Sequence, residues 1–322
     1  MKSIWLILLW VIGSGCAAVG AEAQNWPSKP LRAIVPYGAG STTDIVPRLV
    51  FEQLAQQLGQ TIVVENRAGA GGTIGANSVA KAEPDGYTIL VNSSAHTISP
   101  SFYPALPYDP GRDFGAVVPL GISPHMLVVS PAKGFKTIGD FVAAAKAKPG
   151  GMNFSSVGGG TATHMSAERF KLSAKISAVH VAFKSGAEAM TEVIAGRIDF
   201  FFGPVGLVLE QVKGGKLAAL VGNGSRRSAA LPDVPTTSEA GFADAEYPIW
   251  FGIFVPAKTP RGIVDRLHNE TVKALQAPIV RDKLAALGVD PMVMTPAEFG
   301  AHVEKEIGVN SALVKAAGLK AH

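Results

Sequence analysis

The chain has 322 residues, of which 47% are hydrophobic and 17% are charged, and its formal net charge at pH 7 is +4. This length leaves room for two domains of ordinary size, and the apolar fraction excludes an intrinsically disordered protein. The net charge is modest and no run of Lys or Arg forms a basic stripe, so the composition argues against a nucleic-acid partner.

The N-terminal segment has the pattern of a secretory signal peptide over residues 1–23. A positive charge at Lys2 precedes an apolar stretch over residues 4–12, and the sequence AEA ends at Ala23 with small residues where a signal peptidase cuts. The stretch is too short to span a bilayer, which needs about 20 residues. We therefore predict cleavage after Ala23 and a periplasmic product. A lipoprotein signal that uses Cys16 is the alternative, but the usual leucine three residues ahead is missing.

Predicted strands and helices alternate from residue 31 onward. The first strands are predicted at 31–36, 61–67 and 87–94. The first helix is expected to have Asp44 as its cap and Gly59 at its end, and a helix of small residues follows at 72–82. A proline-rich segment at 104–114 breaks the alternation, which indicates a connecting loop.

A second alternating series follows this loop. Its strands are predicted at 125–130, 153–157, 177–183, 199–203 and 217–223, and its helices at 137–148, 161–171, 185–196 and 204–213. A loop-rich return then leads to an apolar strand at 247–256 and to helices at 260–276, 278–287 and 296–317.

This order predicts an α/β fold with mostly parallel sheets and helices on both of their faces. No flexible tether separates the two series, so we expect one domain to be inserted in the other, with a cleft between two lobes. The first lobe is predicted at residues 24–123 and 247–322, and the second at residues 124–246.

Three segments rich in glycine or hydroxyl groups follow predicted strands, at residues 38–43, 92–97 and 158–164. In open α/β sheets, ligands bind outside the carboxyl ends of the strands, and free N–H groups at a helix start favour an anion. The segments offer neutral donors and few charges, which suits reversible binding of a small anion. Ordinary turns between strand and helix are the alternative reading.

Other chemistry fits these segments less well. No P-loop motif occurs, and Thr43 stands where G-x-G-x-x-G needs its third glycine, so a nucleotide site is not predicted. Ser41 or Ser94 with a histidine could form a hydrolase site, but the sequence has no G-x-S-x-G elbow. The seven histidines are scattered, and cleavage after Ala23 would remove the one cysteine. We predict neither a metal site nor a cofactor.

Several longer motifs resemble the Bug family of periplasmic solute-binding proteins, which serve tripartite tricarboxylate transporters. They cover most of the mature chain: WPSKPLRAIVPY at 26–37, VVENRAGAGGTIGANSVAKAEPDGYTIL at 63–90, LPYDP at 106–110, ALPDVPTTSEAG at 230–241, WFGIFVPAKTP at 250–260 and LAALGVDP at 284–291. The resemblance implies a type II periplasmic binding protein fold, with two α/β lobes joined by crossing strands around a ligand cleft.

The resemblance also implies which loops bind the ligand. The family's first loop has the pattern Pro-aromatic-Pro-Pro-Gly-Gly-x-x-Asp and holds a ligand carboxylate partly through water. Five residues match it: Pro36, Tyr37, Gly40, Thr43 and Asp44. Three depart from it: Gly38, Ala39 and Ser41. Carried over with the other loops, the predicted ligand-binding residues are Tyr37, Gly40, Ser41, Thr42, Asp44, Ser93, Ser94, His96, Gly160, Thr161, Thr163, His164, Phe183 and Gly203.

One departure bears on the ligand. Many family members have an Asp where this chain has Gly203, and such a side chain could pair with the ammonium group of an amino acid. Its absence argues against a zwitterionic ligand. With Phe183 close by, an aromatic or hydroxylated carboxylate is as plausible as a citrate-like acid.

The sequence therefore predicts a monomeric, non-enzymatic receptor that closes on a small carboxylate and delivers it to the permease subunits of a tripartite tricarboxylate-type transporter. Two alternatives stay open. One is a secreted hydrolase that uses a cleft serine and a histidine, and the other is a periplasmic sensor that presents its ligand to a signalling protein.

Overall fold

The computed structural model describes residues 26–319. The predicted signal peptide, its cleavage after Ala23 and the alternative use of Cys16 lie outside the described residues. Within residues 26–319, no helix has both the length and the apolar character that a membrane crossing requires.

The described chain contains ten strands and ten α-helices. The strands are β1 Leu31–Val35, β2 Ile62–Asn66, β3 Thr88–Ser93, β4 Phe114–Ser123, β5 His125–Val129, β6 Met152–Ser156, β7 Ala178–Ala182, β8 Phe200–Pro204, β9 Ala218–Gly222 and β10 Ile249–Pro256. The helices are α1 Thr42–Leu58, α2 Thr73–Ala80, α3 Ala95–Phe102, α4 Ile138–Ala147, α5 Ala162–Ala174, α6 Gly186–Ile194, α7 Val205–Lys213, α8 Arg261–Gln276, α9 Pro278–Ala286 and α10 Pro296–Ala316.

Two five-stranded sheets share one pattern of strands. The first has the order β2-β1-β3-β10-β4 and the second the order β7-β6-β8-β5-β9. In each sheet the first three strands are parallel, while the fourth runs antiparallel to both of its neighbours. The carboxyl ends of the parallel strands therefore lie along one edge of each sheet, which is where α/β proteins bind ligands.

The chain passes between the sheets twice. It enters the second sheet between Ser123 and His125, where β4 ends and β5 begins, and returns between Gly222 and Ile249. The predicted fold, two α/β lobes joined by crossing strands, is confirmed. The predicted division at residues 124 and 247 stays a prediction, and both positions lie in these two connections.

Hydrogen bonds tie the two connections together. The His125 amide donates to Asn223 Oδ1 at 2.7 Å, and Asn223 Nδ2 donates to the Tyr247 carbonyl at 2.6 Å. Ser166 Oγ lies 3.1 Å from His125 Nδ1. All four side chains are buried, and burial lowers the pKa of His125 to about 3. A buried polar network of this kind fixes the path of the backbone between the lobes.

Apolar strands place a core on each face of both sheets. All eight residues of β10 are buried, and in β8 Phe200 and Phe202 pack on one face while Phe201 packs on the other. Strands buried on both faces read as continuous apolar runs, which is why these two were predictable from sequence.

Two elements differ from the sequence prediction. Helix α3 and strand β4 were not predicted. The first helix also begins earlier than expected, because Ser41 is its cap and Asp44 lies in its first turn. The predicted end is confirmed, since Gly59 adopts the left-handed conformation (φ +65°) that favours glycine.

Candidate functional site

The loop between β1 and α1 forms the first part of the candidate site. The Ser41 amide donates to the Gly38 carbonyl at 3.2 Å, and Gly40 has φ +80°. Gly40 is exposed and Thr42 is half-buried. Ser41 Oγ is buried and has no hydrogen-bond partner among the described residues. The loop therefore presents a hydroxyl group that the protein itself does not use.

Asp44 holds this loop in shape. Its Oδ2 accepts from the Gly40 amide at 2.9 Å, and its Oδ1 accepts from Arg48 Nε and Asn66 Nδ2, both at 2.9 Å. Burial by itself would raise the pKa of Asp44, but the hydrogen bonds from Arg48, Gly40 and Asn66 hold it below its usual value. Both carboxylate oxygens are thus occupied within the lobe, which suits a positioning role, and the ligand contact at Asp44 stays a prediction.

Tyr37 forms a wall beside the loop. Its hydroxyl donates to the Gly71 carbonyl at 3.4 Å, and a Cβ at Gly72 would lie 3.1 Å from the same hydroxyl. The side chain packs against apolar residues of two clusters. Burial raises the pKa of Tyr37 well above its usual value, despite a hydrogen bond with Ser93, so the phenol is neutral and can donate a hydrogen bond.

The segment between β3 and α3 adds two buried serines. Ser93 Oγ accepts from the Ala95 amide at 3.4 Å, whereas Ser94 Oγ is buried without a partner in the described part of the chain. Because β3 pairs with β1 in parallel register, Ser94 and Ser41 follow neighbouring strands at the same edge of the sheet.

His96 lies in the core of the first lobe. Its Nδ1 is 3.2 Å from Asn92 Nδ2, and its Nε2 is 3.1 Å from the Pro110 carbonyl oxygen. The ring stacks on Phe254 with centroids 4.5 Å apart and meets the edge of Phe114. Burial lowers its pKa to about 4. Both ring nitrogens are thus engaged within the first lobe, and the ligand contact at His96 stays a prediction.

The loop between β6 and α5 forms the second-lobe part of the site. Thr161 Oγ1 donates to the Gly158 carbonyl at 2.7 Å and lies 3.1 Å from Thr163 Oγ1. Thr163 Oγ1 also accepts from the Val157 amide at 3.2 Å. The two threonines therefore stabilise a tight turn, and the Gly160 amide donates to His164 Nδ1 at 3.2 Å.

The His164 ring lies beneath this loop. It stacks on His180 with centroids 4.0 Å apart and on Phe154 with centroids 6.0 Å apart. Its Nε2 is 3.7 Å from Glu168 Oε1. Like Asp44 in the first lobe, His164 contacts its own loop, and its place supports a role in positioning.

Phe183 and Gly203 lie at the ends of β7 and β8. Phe183 is half-buried, and its amide donates to the Ser156 carbonyl at 2.9 Å. A Cβ at Gly203 would lie 2.6 Å from a Phe201 ring atom and 2.7 Å from Val208 Cγ1. Gly203 therefore faces the core of the second lobe, where an acidic side chain has no room.

The loops of the two lobes meet across the cleft. A Cβ at Gly160 would lie 2.9 Å from Phe102 Cγ, and Ala162 belongs to the same apolar cluster as Tyr37. Phe102 and Met165 share a further cluster with residues of both lobes. Sequence reasoning did not select Phe102, because the helix that carries it was not predicted; the sole signal was an aromatic residue beside a hydroxyl-rich segment.

The arrangement offers hydrogen-bond donors and no assembled nucleophile. Neither Ser41 nor Ser94 is bonded to a histidine among residues 26–319, although a nucleophilic serine needs a base within reach. Serine–histidine pairs do occur at Ser166–His125 and Ser156–His180, where both serines are fully buried. The described residues also hold no group of three metal-ligating side chains.

Comparisons with known proteins agree with this geometry. Residues 46–319 match the protein family described as the tripartite tricarboxylate transporter family receptor. The protein BugT of Bordetella pertussis is 32% identical over 319 residues, which is 97% of this chain and 98% of BugT.

Two solved structures from Rhodopseudomonas palustris are similar over most of the chain. MatC, solved with bound malate, has 30% identity and a TM-score of 0.82, and the match covers 90% of this chain and 100% of MatC. A second protein, solved with adipate, has 28% identity and a TM-score of 0.86, with 92% of this chain and 100% of the other covered.

Proposed function

The chain belongs to the tripartite tricarboxylate transporter family of receptors, and from that membership we propose that it captures a small organic carboxylate by closure of its two lobes. The site is the cleft where the loops after β1 and β3 face the loop after β6. The function is binding and release, without chemistry on the solute.

The observation that carries this proposal is the pair of unpartnered hydroxyl groups on Ser41 and Ser94. A buried polar group without a hydrogen bond costs about 1–3 kcal/mol, so native proteins rarely leave one unless a ligand or water completes it. The two serines lie at one sheet edge and next to the N-termini of α1 and α3. A carboxylate supplies two acceptor oxygens and would satisfy both hydroxyls.

The ligand class follows from the donors. The loops at 37–44, 93–96 and 158–164 contain no Lys or Arg, so the carboxylate would be held by neutral hydroxyl and amide groups and by water. Malate and adipate in the two similar structures support a dicarboxylate. A tricarboxylate or an aromatic carboxylate is also consistent with the half-buried Phe183. Gly203 brings no carboxylate to this part of the second lobe, which supports a ligand without an ammonium group.

Closure would occur about the two connections between the sheets. A solute gripped by both lobes binds the closed form better and shifts the population toward it. The hydrogen bonds among His125, Asn223 and Tyr247 would keep the connections in register during this movement. Such hinge closure about a few element-terminal residues is common in binding proteins.

Export and delivery complete the proposal. The signal-peptide pattern of residues 1–23 supports a periplasmic protein, and the family supports a permease of the tripartite tricarboxylate type as the partner. A sensor that presents its solute to a signalling protein would use the same cleft. Uptake of labelled solute by cells with and without the permease genes separates the two.

A thermal-shift screen tests the binding proposal. The protein, expressed with its own leader and purified after export, is heated with malate, adipate, citrate, benzoate and aspartate in turn. We expect at least one carboxylate without an ammonium group to raise the melting temperature, because a ligand that binds only the folded form stabilises it. A shift with aspartate alone, or with none of a wider carboxylate panel, would contradict the proposal.

A further inference from the structure

The two loops that face each other across the cleft share one hydrogen-bonding pattern. In the first lobe the amide of Gly40, at φ +80°, donates to Asp44 Oδ2 at 2.9 Å. In the second lobe the amide of Gly160, at φ +72°, donates to His164 Nδ1 at 3.2 Å. In both cases the acceptor lies four residues after the glycine, in the first turn of the helix that follows.

This hydrogen bond fixes the residue between the glycine and the helix. Ser41 (φ −69°, ψ 157°) and Thr161 (φ −85°, ψ 161°) have the extended backbone of a helix cap, yet neither side chain caps its helix. The acceptor side chain instead binds the glycine amide that precedes the cap. The Ser41 hydroxyl and the first amides of α1 and α5 are thus left for other partners, whereas the Thr161 hydroxyl donates to the Gly158 carbonyl of its own loop.

The two acceptors differ in how they respond to protons. Asp44 accepts as a carboxylate, and its hydrogen bonds hold its pKa low, so it remains an acceptor throughout the neutral range. His164 Nδ1 accepts only while its lone pair is free, which requires the neutral imidazole with its proton on Nε2. Protonation would set an N–H group against the N–H of Gly160 and break the bond.

The groups around His164 suit the neutral form with Nε2 protonated. On its own helix, Glu168 Oε1 is 3.7 Å from Nε2, and this carboxylate is already paired with Lys171 at 2.7 Å. From β7, the ring of His180 stacks on His164, and from β6 Phe154 lies parallel to it. From the first lobe, the edge of Phe102 meets the ring, with centroids 5.9 Å apart.

We propose that His164 is a positioning residue for the solute: its neutral imidazole holds the Gly160 amide, shapes the second-lobe loop, and releases that loop when it is protonated. The inference rests on the proposed carboxylate-binding function. It assigns His164 no direct contact with the solute, and it makes the second-lobe loop sensitive to acid while the first-lobe loop is not.

Two substitutions separate positioning from general structural support. His164→Asn keeps an acceptor oxygen at the place of Nδ1 and cannot be protonated, whereas His164→Ala removes the acceptor. The loss of one hydrogen bond of about 1 kcal/mol corresponds to an affinity weaker by about fivefold. At pH 7.5 we expect that loss in H164A, and an affinity within about threefold of the unchanged protein in H164N, which restores the bond.

The closing experiment combines nuclear magnetic resonance with calorimetry on the exported protein, labelled with ¹⁵N-glycine and ¹⁵N-histidine. Without solute, we expect the Gly160 amide signal to move with the same midpoint as the His164 ring signals as the pH is lowered, and to stay still in H164N. Calorimetry with malate, adipate or whichever carboxylate raises the melting temperature should show affinity falling over the same range, and less so in H164N.

The outcomes separate this inference from the function on which it rests. If no carboxylate binds the unchanged protein, the proposed function fails, and the Gly160 signal still decides the positioning role. The inference would be overturned if the Gly160 amide signal did not change when His164 is protonated. It would also be overturned if H164N bound the carboxylate as weakly as H164A does. Tighter binding on acidification in the unchanged protein alone would overturn it too. If H164A does not fold, the comparison of H164N with the unchanged protein remains decisive.

Discussion

Ser41 and Ser94 show how a single unpartnered atom can mark a site. Most buried polar groups in a folded protein are hydrogen-bonded, and these two hydroxyls are exceptions at the edge of one sheet. Ser41 also departs from the glycine that the resembling family places in this loop. A hydroxyl added there provides one more donor for a carboxylate, so this chain's selectivity is expected to depend on it.

Replacing Ser41 with Ala tests that expectation. The free protein loses no hydrogen bond, so the melting temperature should be unchanged, whereas the bound state loses a donor to a charged acceptor. Such bonds contribute about 1.5–3 kcal/mol, which corresponds to roughly 10- to 100-fold weaker affinity. Ser78→Ala is the matched control, because that hydroxyl donates within its own helix to Gly75. Equal affinity of S41A and the unchanged protein, measured by calorimetry, would contradict the assignment.

The crowded space around Gly203 leads to a prediction about stability. A Cβ there would lie 2.6 Å from the Phe201 ring and 2.7 Å from Val208, so Gly203→Ala overpacks the core and should cost about 1–3 kcal/mol. Gly308→Ala, on an exposed helical position with open space around it, should instead stabilise by about 0.5–1 kcal/mol. Urea unfolding measures both. Unchanged stability of G203A would show that the core has space there.

Residue types were readable from sequence, but side-chain directions were not. The sequence placed His96 and His164 beside the ligand because they stand in the hydroxyl-rich segments. The structure turns His96 into the core against Phe254 and turns His164 beneath its own loop. A one-dimensional pattern carries no information on which way a ring rotates, and the stacking partners that decide it lie far away in the chain.

At the scale of elements, helix α10 links the binding segment to a crossing strand. Thr97 Oγ1 donates to Glu306 Oε2 at 2.9 Å, and Trp250 Nε1 donates to the same oxygen at 2.8 Å. Asn310 Nδ2 donates to Thr97 Oγ1, while its Oδ1 accepts from the Tyr247 hydroxyl at 2.6 Å. The C-terminal helix is therefore part of the frame that holds the start of α3.

The buried carboxyl group of Glu306 makes the stability of the protein depend on pH. Burial raises the pKa of Glu306, despite the hydrogen bonds from Trp250 and Thr97. A carboxyl with a raised folded pKa contributes stability that is fully present below its unfolded pKa and is lost as pH rises through the folded value. His302, 3.7 Å away, has its own pKa lowered by burial and does not supply a charge at neutral pH.

Glu306→Gln should therefore be more stable than the unchanged protein at pH 8, because its amide oxygen still accepts from Trp250 and carries no charge. The advantage should shrink toward pH 4, where Glu306 is protonated. Thermal unfolding across this pH range measures the difference in stability between the two proteins. Each kcal/mol should shift the melting temperature by about 2–4 °C. Glu304→Gln, on the exposed side of the same helix, is the control. A constant difference between E306Q and the unchanged protein at every pH would contradict the linkage.

The missed elements share a physical reason. Strand β4 contains Gly115, Pro119 and Gly121, which are poor strand residues, and its pairing with β10 has two register shifts. Helix α3 is rich in Ser and Thr and contains Pro100. In both cases tertiary packing overrides local preference, whereas the continuously apolar strands β8 and β10 and the periodic C-terminal helices were found from sequence.

At the scale of the whole molecule, two buried histidines contribute to the response to acid. Burial lowers the pKa of His96 to about 4 in the first lobe and that of His125 to about 3 at the connection between lobes. An unfolded histidine titrates near 6.5, so each contributes stability that is present above about pH 6.5 and is lost as pH falls toward its folded value.

We expect the free energy of unfolding to fall between pH 6.5 and pH 4.5, by up to about 1.4 kcal/mol per pH unit for each histidine. His96→Gln keeps a donor for the Pro110 carbonyl. It should remove the contribution of one histidine, up to about 1.4 kcal/mol per pH unit, from the pH dependence of the free energy of unfolding. His268→Gln, at a half-buried position, is the control. Urea unfolding at several pH values gives the slope, and an unaltered slope in H96Q would show that His96 is not the group responsible.

The most direct test of the account is a calorimetric titration of the best carboxylate from the screen against the unchanged protein and the double variant S41A/S94A. The account predicts one bound carboxylate per chain, and an affinity at least about 100-fold weaker in the double variant, since each hydroxyl contributes on the order of 1.5 kcal/mol or more. Without ligand, the melting temperature of S41A/S94A should equal that of the unchanged protein. Equal binding by both proteins would contradict the central claim that these two hydroxyls receive the solute.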